Sequence, residues 1–198
     1  MNLVTGHVTE HGVIQSYAID SGGVIRWKYR SKKKTEGEET AIVNCDKAFV
    51  IKCDNVLTAL AKINGNVLWC DTLKNSINNV YKWGDKILTY CLVNLNGRYP
   101  DKGNFEYNVA LKLINVKDGM GLWETSFSSF NTPSLSICNG KLLISDIISF
   151  RTFSIETGKM LSKELISEGD KGKYSFEMIT DFMSGDYYLK SYKDVIYW

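Results

Sequence analysis

Histidine, proline and paired cysteines are what this chain has least of. It contains 2 histidines and 2 prolines in 198 residues. Both histidines, His7 and His11, share one short stretch with Glu10, between Gly6 and Gly12. That stretch reads as strand and turn, so the spacing does not set two imidazoles on one helix face, and a metal site is not expected. Two histidines so placed do not support a His-based nucleophilic triad elsewhere. The 5 cysteines are odd in number and contain no Cys-x-x-Cys pair. That excludes a disulfide framework and a Cys-rich zinc site. The cysteines read as reduced strand and core residues, which favours a reducing cytoplasm. The phosphate-binding Gly-x-x-x-x-Gly-Lys-Ser/Thr loop, Gly-x-Gly-x-x-Gly after a strand, and the Asp-rich calcium loop are also absent. Carboxylates are numerous but scattered, and no catalytic pair stands out. No apolar run reaches the roughly 18–20 residues that span a bilayer. The first ten residues lack a basic segment followed by a long apolar one, so no secretory signal is read there, and Met1 reads as a natural start. The net charge of +2 is too small to argue for nucleic acid or an anionic membrane. With no low-complexity tract and no linker composition, residues 1–198 are expected to form a single domain.

What is present is alternation. Lys47–Cys53, Lys86–Val93 and Lys141–Ile148 are runs rich in β-branched and aromatic residues, punctuated by Asn, Asp and Gly. No segment reads as a long capped amphipathic helix. Four segments also share one ending, a strand-like stretch, a turn with glycine, and a bulky residue four positions on. They are Gly23 with Trp27, Gly65 with Trp69, Gly119 with Trp123, and Gly158 with Ser162 in place of tryptophan. The glycines are spaced by 42, 54 and 39 residues, a period that signals a repeat architecture. Each interval has room for four strands of ordinary length.

The second unit is read as Ala41–Cys45, Ala48–Cys53, Val56–Ile63 and Asn66–Leu73. Its Asn64-Gly65 turn is a hairpin signal, because positive φ is cheap for both residues. The third is read as Asn79–Trp83, Lys86–Asn94, Tyr107–Val116 and Leu122–Phe127. The fourth is read as Ser134–Cys138, Lys141–Ile148, Arg151–Ile155 and Lys159–Leu165. Four-stranded sheets repeated in this way predict an all-β fold, a small β-propeller of four to five antiparallel blades. The terminal units are incomplete. Leu3–Val8 and Val13–Ile19 precede Gly23, while Tyr174–Asp181, Asp186–Ser191 and Asp194–Trp198 follow the fourth unit. Five units with partial ends is the preferred reading; the alternative joins the two ends into one blade.

The pattern of Gly, three residues and Trp after an Ala-x-Asp or similar strand end resembles the tryptophan-docking repeat of the PQQ-like, quinoprotein-type β-propeller superfamily. The resemblance implies that Trp27, Trp69 and Trp123 pack between neighbouring blades, on turns built around Gly23, Gly65, Gly119 and Gly158. Ser162 departs from the pattern, so the last junction should pack differently. The cofactor-using members are longer and carry an adjacent Cys-Cys pair, which is missing here. Neither quinone, calcium nor dehydrogenase activity is therefore carried over; no cofactor is expected, and the chain is read as a non-enzyme.

The run Arg26–Lys34 has six cations in nine residues, interleaved with aromatics. It could be read as a nucleic-acid surface. Arg26, Lys28 and Arg30 alternate along an outer strand, where cations block unwanted strand pairing, and Glu36, Glu38 and Glu39 offset the charge. Nucleic acid is therefore not an expected partner. Connection lengths say more. The glycine turns are tight, whereas the long connections Ser31–Thr40, Leu95–Glu106 and Ile166–Lys173 all map to the opposite blade ends. Loops on a rigid scaffold are where binding residues concentrate. The candidate partner-binding residues are Lys32, Lys33, Lys34 and Glu36 in the first, Arg98, Tyr99, Asp101, Lys102 and Phe105 in the second, and Glu168 and Asp170 in the third. These features predict a protein-binding propeller, a monomer or 1:1 heterocomplex without membrane contact. The specific expectation is a cytoplasmic bacterial immunity protein that neutralises a cognate toxin. The alternatives are an envelope assembly scaffold and a quinoprotein-like cofactor-binding enzyme relative.

Overall fold

The computed structural model describes residues 4–10, 13–31, 40–94, 106–130, 132–146, 149–165, 174–180 and 187–193. All of its regular structure is β, and among the described residues there is no helix. No helix is long and apolar enough to cross a membrane. The first sheet holds β1 (Val4–Glu10), β2 (Val13–Ile19) and β3 (Ile25–Arg30). Three four-stranded sheets follow. The second is β4 (Thr40–Asn44), β5 (Ala48–Cys53), β6 (Val56–Ala61) and β7 (Val67–Thr72). The third is β8 (Asn79–Trp83), β9 (Lys86–Asn94), β10 (Glu106–Asn115) and β11 (Gly121–Phe130). The fourth is β12 (Ser134–Cys138), β13 (Lys141–Ser145), β14 (Ser149–Ser154) and β15 (Met160–Leu165). Last come β16 (Tyr174–Thr180) and β17 (Tyr187–Lys193), paired with each other. In every sheet sequence neighbours are spatial neighbours. These are the antiparallel meanders expected of propeller blades. The anticipated strand at Asp194–Trp198 lies outside the described residues.

By compactness the chain forms two units, Met1–Leu92 with Leu111–Leu122, and Val93–Ala110 with Trp123–Trp198. In the first unit, Ile14, Ala18 and Trp27 of the first sheet pack against Phe49, Ile51, Cys53 and Leu60 of the second. β4 and β8, the opening strands of their sheets, run side by side. All six residues of β5 are buried. The apolar run at Ala48–Ile51 is continuous because both faces of a middle strand are covered, which removes the usual alternation, and Lys52 after it is buried as well. β7, the terminal strand of that sheet, alternates between exposed and half-buried residues instead. In the second unit Cys138, Leu143 and Phe150 form the buried cluster of the fourth sheet, and β12 lies beside β16.

The turns correct one sequence reading. Asn64-Gly65 is not a two-residue hairpin, since only Gly65 has positive φ, at 72°. Gly65 N donates to Ala61 O at 2.8 Å, and Ala61 N donates to Asn66 O at 2.8 Å, closing a wider loop. The same pair of bonds recurs around Gly119 and Gly158. The loop at Gly23 is one residue shorter, with Asp20 N donating to Val24 O at 3.0 Å. There the Asp20 carboxylate accepts the amides of Gly22 and Val24. The Val24 amide, opposed by desolvation and helped by Gly22 and Arg26, lowers its pKa. The two-residue Asn-Gly turn occurs instead at Asn139 (φ 47°) and Gly140 (φ 70°), between β12 and β13. The run read as Lys141–Ile148 also stops early, at Ser145. Asp146 stops it by bonding forward to Ser149, as described below.

Candidate functional site

The glycine turns and tryptophans form one repeated device. Trp27 Nε1 donates to Lys62 O at 2.8 Å, Trp69 Nε1 to Val116 O at 2.7 Å, and Trp123 Nε1 to Ile155 O at 2.8 Å. Each carbonyl lies in the turn of the following repeat. Each ring also lies on that turn's glycine. A Cβ at Gly65 would stand 2.6 Å from the Trp27 ring, one at Gly119 2.8 Å from Trp69, and one at Gly158 2.6 Å from Trp123. Glycine is therefore required twice, for positive φ and for the approach of the indole. Each of the three tryptophans thus packs against the turn of the following repeat. Among the described residues nothing lies within 4 Å of a Cβ added at Gly23.

Strand register prepares the seat. Trp27 is opposite Ala18 and Trp69 opposite Ala59, with a bulge one step nearer the turn in each hairpin. At the departing fourth copy Ser162 is opposite Thr152, and their hydroxyls bond at 2.7 Å. A second polar element lies in the same sheet. Asp146, fully buried, accepts Ser149 N at 2.7 Å and Ser149 Oγ and Ser129 Oγ at 3.0 Å, and pairs with Arg151 at 3.1 Å. Arg151 also donates to Ser128 O at 3.1 Å and lies over the Phe127 ring at 4.9 Å. Sequence reasoning took Arg151 and Asp146 as ordinary strand residues. An arginine between two phenylalanines in a strand, five residues from an aspartate, was the available signal.

The candidate partner-binding residues Lys32, Lys33, Lys34, Glu36, Arg98, Tyr99, Asp101, Lys102, Phe105, Glu168 and Asp170 lie outside the described residues. What the structure does give is the strand ends that flank them. The three long connections join β3 to β4, β9 to β10 and β15 to β16. Antiparallel order places each at the end of its blade opposite the glycine turn. Of the basic run, Arg26, Lys28 and Arg30 are exposed on β3, the terminal strand of its sheet. Arg26 is paired with Asp20 at 2.5 Å, and Lys28 lies over the Tyr17 ring at 5.7 Å. These neighbours fit the edge-blocking reading.

A cleft that sequence reasoning missed opens at the glycine-turn end of the first unit. Its volume is about 480 Å³, within the range of small-ligand sites. Cys45, Ala48, Ala61, Leu68 and Val116 supply its apolar lining, and Asp46, Lys47, Asp85 and Lys117 its charges. Val116 is also the residue whose carbonyl holds Trp69, so the docked junction forms part of its frame. Burial pushes the Cys45 thiol up, against the pull of Lys82 and Lys62, so it is a poor nucleophile at neutral pH. Cys45, Cys53, Cys91 and Cys138 are buried and Cys70 is exposed, all as free thiols. Among the described residues no group of three or more His, Cys, Asp and Glu side chains could hold a metal ion.

No family model matches the sequence, and no curated protein matches it. Solved structures do. BamB from Moraxella catarrhalis is similar at TM-score 0.57 and 16% identity, over 94% of this chain and 61% of its own. A europium-containing methanol dehydrogenase is similar at TM-score 0.61 and 10% identity, over 96% and 45%. The N-terminal domain of Nup159 follows at TM-score 0.51 and 10% identity, over 86% and 45%. The chain thus spans about half to three fifths of the length of these proteins. At such identities the likeness is one of fold. The four-stranded antiparallel blades described above share the β-propeller fold of these proteins.

Proposed function

We propose that this chain is a non-catalytic, protein-binding β-propeller that holds its partner at the blade ends opposite the glycine turns. One observation carries the reading: β3–β4, β9–β10 and β15–β16, the strand pairs joined by the three long connections, all open at those ends. The sequence of these connections supports it, because Arg98, Tyr99 and Phe105 are of the types enriched at interface hot spots. The finer proposal is a cytoplasmic immunity protein that binds a cognate bacterial toxin one to one. Co-expression and pull-down with the product of the neighbouring gene tests it. A stable complex and restored growth are expected; an intact toxin in the presence of folded protein overturns it.

The likeness to BamB favours a second reading, an envelope assembly scaffold. Cell fractionation separates the two, since a scaffold of that kind requires export and an immunity protein of the first kind stays in the cytosol. The likeness to a methanol dehydrogenase leaves a cofactor-binding relative as a third reading. An absorbance band or bound metal in the natively purified protein would favour that one.

A further inference from the structure

We infer that the cleft beside Trp69 is a second docking site, which takes a short acidic and apolar peptide segment of a protein partner. The case begins with the balance of charge around it. Asp46 is paired with Lys82 at 3.0 Å and Asp85 with Lys86 at 2.7 Å. Both carboxylates are thereby neutralised. The other two charged lining residues, Lys47 and Lys117, are exposed and form none of the ion pairs of the described residues. The cleft lining therefore includes two lysines, Lys47 and Lys117, whose charges no ion pair of the described residues offsets. Beneath them is an apolar lining, with Cys45 and Ala48 each 1% exposed and Val116 6% exposed. Such a site complements a carboxylate next to a large apolar side chain.

A peptide suits the surroundings better than a compact amphiphile. The apolar surface does not stop at the rim. Leu68, which lines the cleft, is 45% exposed, and its neighbour on β7, Val67, is 50% exposed. Met120, just past the turn that carries Val116 and Lys117, is 65% exposed. A side chain in the cleft would continue naturally into residues that cover these positions. The cleft also has a firm frame. Val116 N donates to Asp85 O at 3.1 Å, Lys62 N to Lys47 O at 3.1 Å, and Val116 O holds Trp69. A site held by backbone bonds loses little entropy on binding.

The test uses the full chain and an acetylated, amidated peptide of sequence Asp-Leu-Phe-Glu, titrated by calorimetry. The controls are its Asn-Leu-Phe-Gln counterpart and sodium decanoate. The acidic peptide is expected to bind, and its uncharged counterpart to bind about tenfold more weakly. Lys47→Glu with Lys117→Glu, both on exposed side chains, should remove the difference between the two peptides. Leu68→Ala should weaken both equally. Equal binding of the two peptides by the native chain, preference for decanoate, or no heat of binding at millimolar peptide would each overturn the proposal. The charge reversals lie at the opposite blade end from the long connections. Capture of a partner there should survive them, so the two readings fail independently.

Discussion

The second and fourth sheets use the same glycine turn, the same two backbone bonds around it, and the same bulge in the outer hairpin. They differ in what stands four residues past the glycine. In the second sheet Trp69 sits opposite Ala59, rests on Gly119 and bonds to Val116 O of the next repeat. In the fourth, Ser162 sits opposite Thr152 and the two hydroxyls satisfy each other. The same hairpin thus ends in an apolar, outward-reaching contact in one case and in a polar, self-contained one in the other. The local turn does not require the tryptophan; a following glycine turn does. The tryptophans of copies one to three each rest on the glycine turn of the next copy.

The buried interior differs in the same direction. Around the first and second sheets the packed cluster is apolar, although Lys52 and Thr58 are also buried in the second sheet, and Ser16 Oγ is the buried side-chain atom left without a hydrogen bond among the described residues. In the fourth sheet an ion pair, Asp146 with Arg151, is buried and fully bonded. The polar group that is well served is the costlier one to disturb.

The strongest way to break the comparison is therefore Asp146→Ala. It strands the Arg151 guanidinium in the interior and should cost about 3–5 kcal/mol, read by chemical denaturation. Asp146→Leu with Arg151→Met should recover much of the loss, because no charge is then left unpaired. Trp69→Ala comes next, at about 3 kcal/mol for a large side chain that is only partly buried. Trp69→Phe should cost less, about 1 kcal/mol beyond the lost ring area, for the bond to Val116.

The glycines separate two effects. Gly23→Ala meets only the cost of positive φ, about 1–2 kcal/mol, since nothing lies within 4 Å of its added Cβ. Gly119→Ala meets that cost and also displaces the Trp69 ring, so it should exceed Gly23→Ala, with Trp69 fluorescence shifted only in the former. Equal losses would show that the indole is not held as described. Ser162→Trp with Thr152→Ala sharpens the contrast by restoring the motif in the fourth copy. Its indole should remain solvent-exposed, with red-shifted emission and no gain in stability. The smallest change expected is Ser16→Ala, which removes an unpaired buried hydroxyl and should stabilise by about 1 kcal/mol.

Much of the fold was legible because it is written locally. Ala48–Cys53, Asn79–Trp83 and Lys86–Asn94 are strands from their own composition, and the structure has them at those residues. Gly65 and Trp69 revealed themselves by recurring. Less local features were misread or missed. Asn64 precedes a glycine like a two-residue turn, yet the loop is wider, because the bulge and the seat of Trp27 set its geometry. The run read as far as Ile148 ends as a strand at Ser145, and the next residue, Asp146, accepts the Ser149 amide with its carboxylate. Lys47 and Lys117 are 70 positions apart in the sequence, and nothing in either neighbourhood signals that they meet at one cleft.

The sequence by itself determined the class of this protein: short alternating strands, glycines where φ must be positive, and a repeat long enough for four strands. Those are properties of neighbouring residues, and pattern records them. Only the tertiary structure decided which glycine each tryptophan rests on, where an ion pair could be buried, and that two lysines stand uncompensated over an apolar cleft. These depend on which strands from distant repeats are brought into contact, and on how the charges between them cancel.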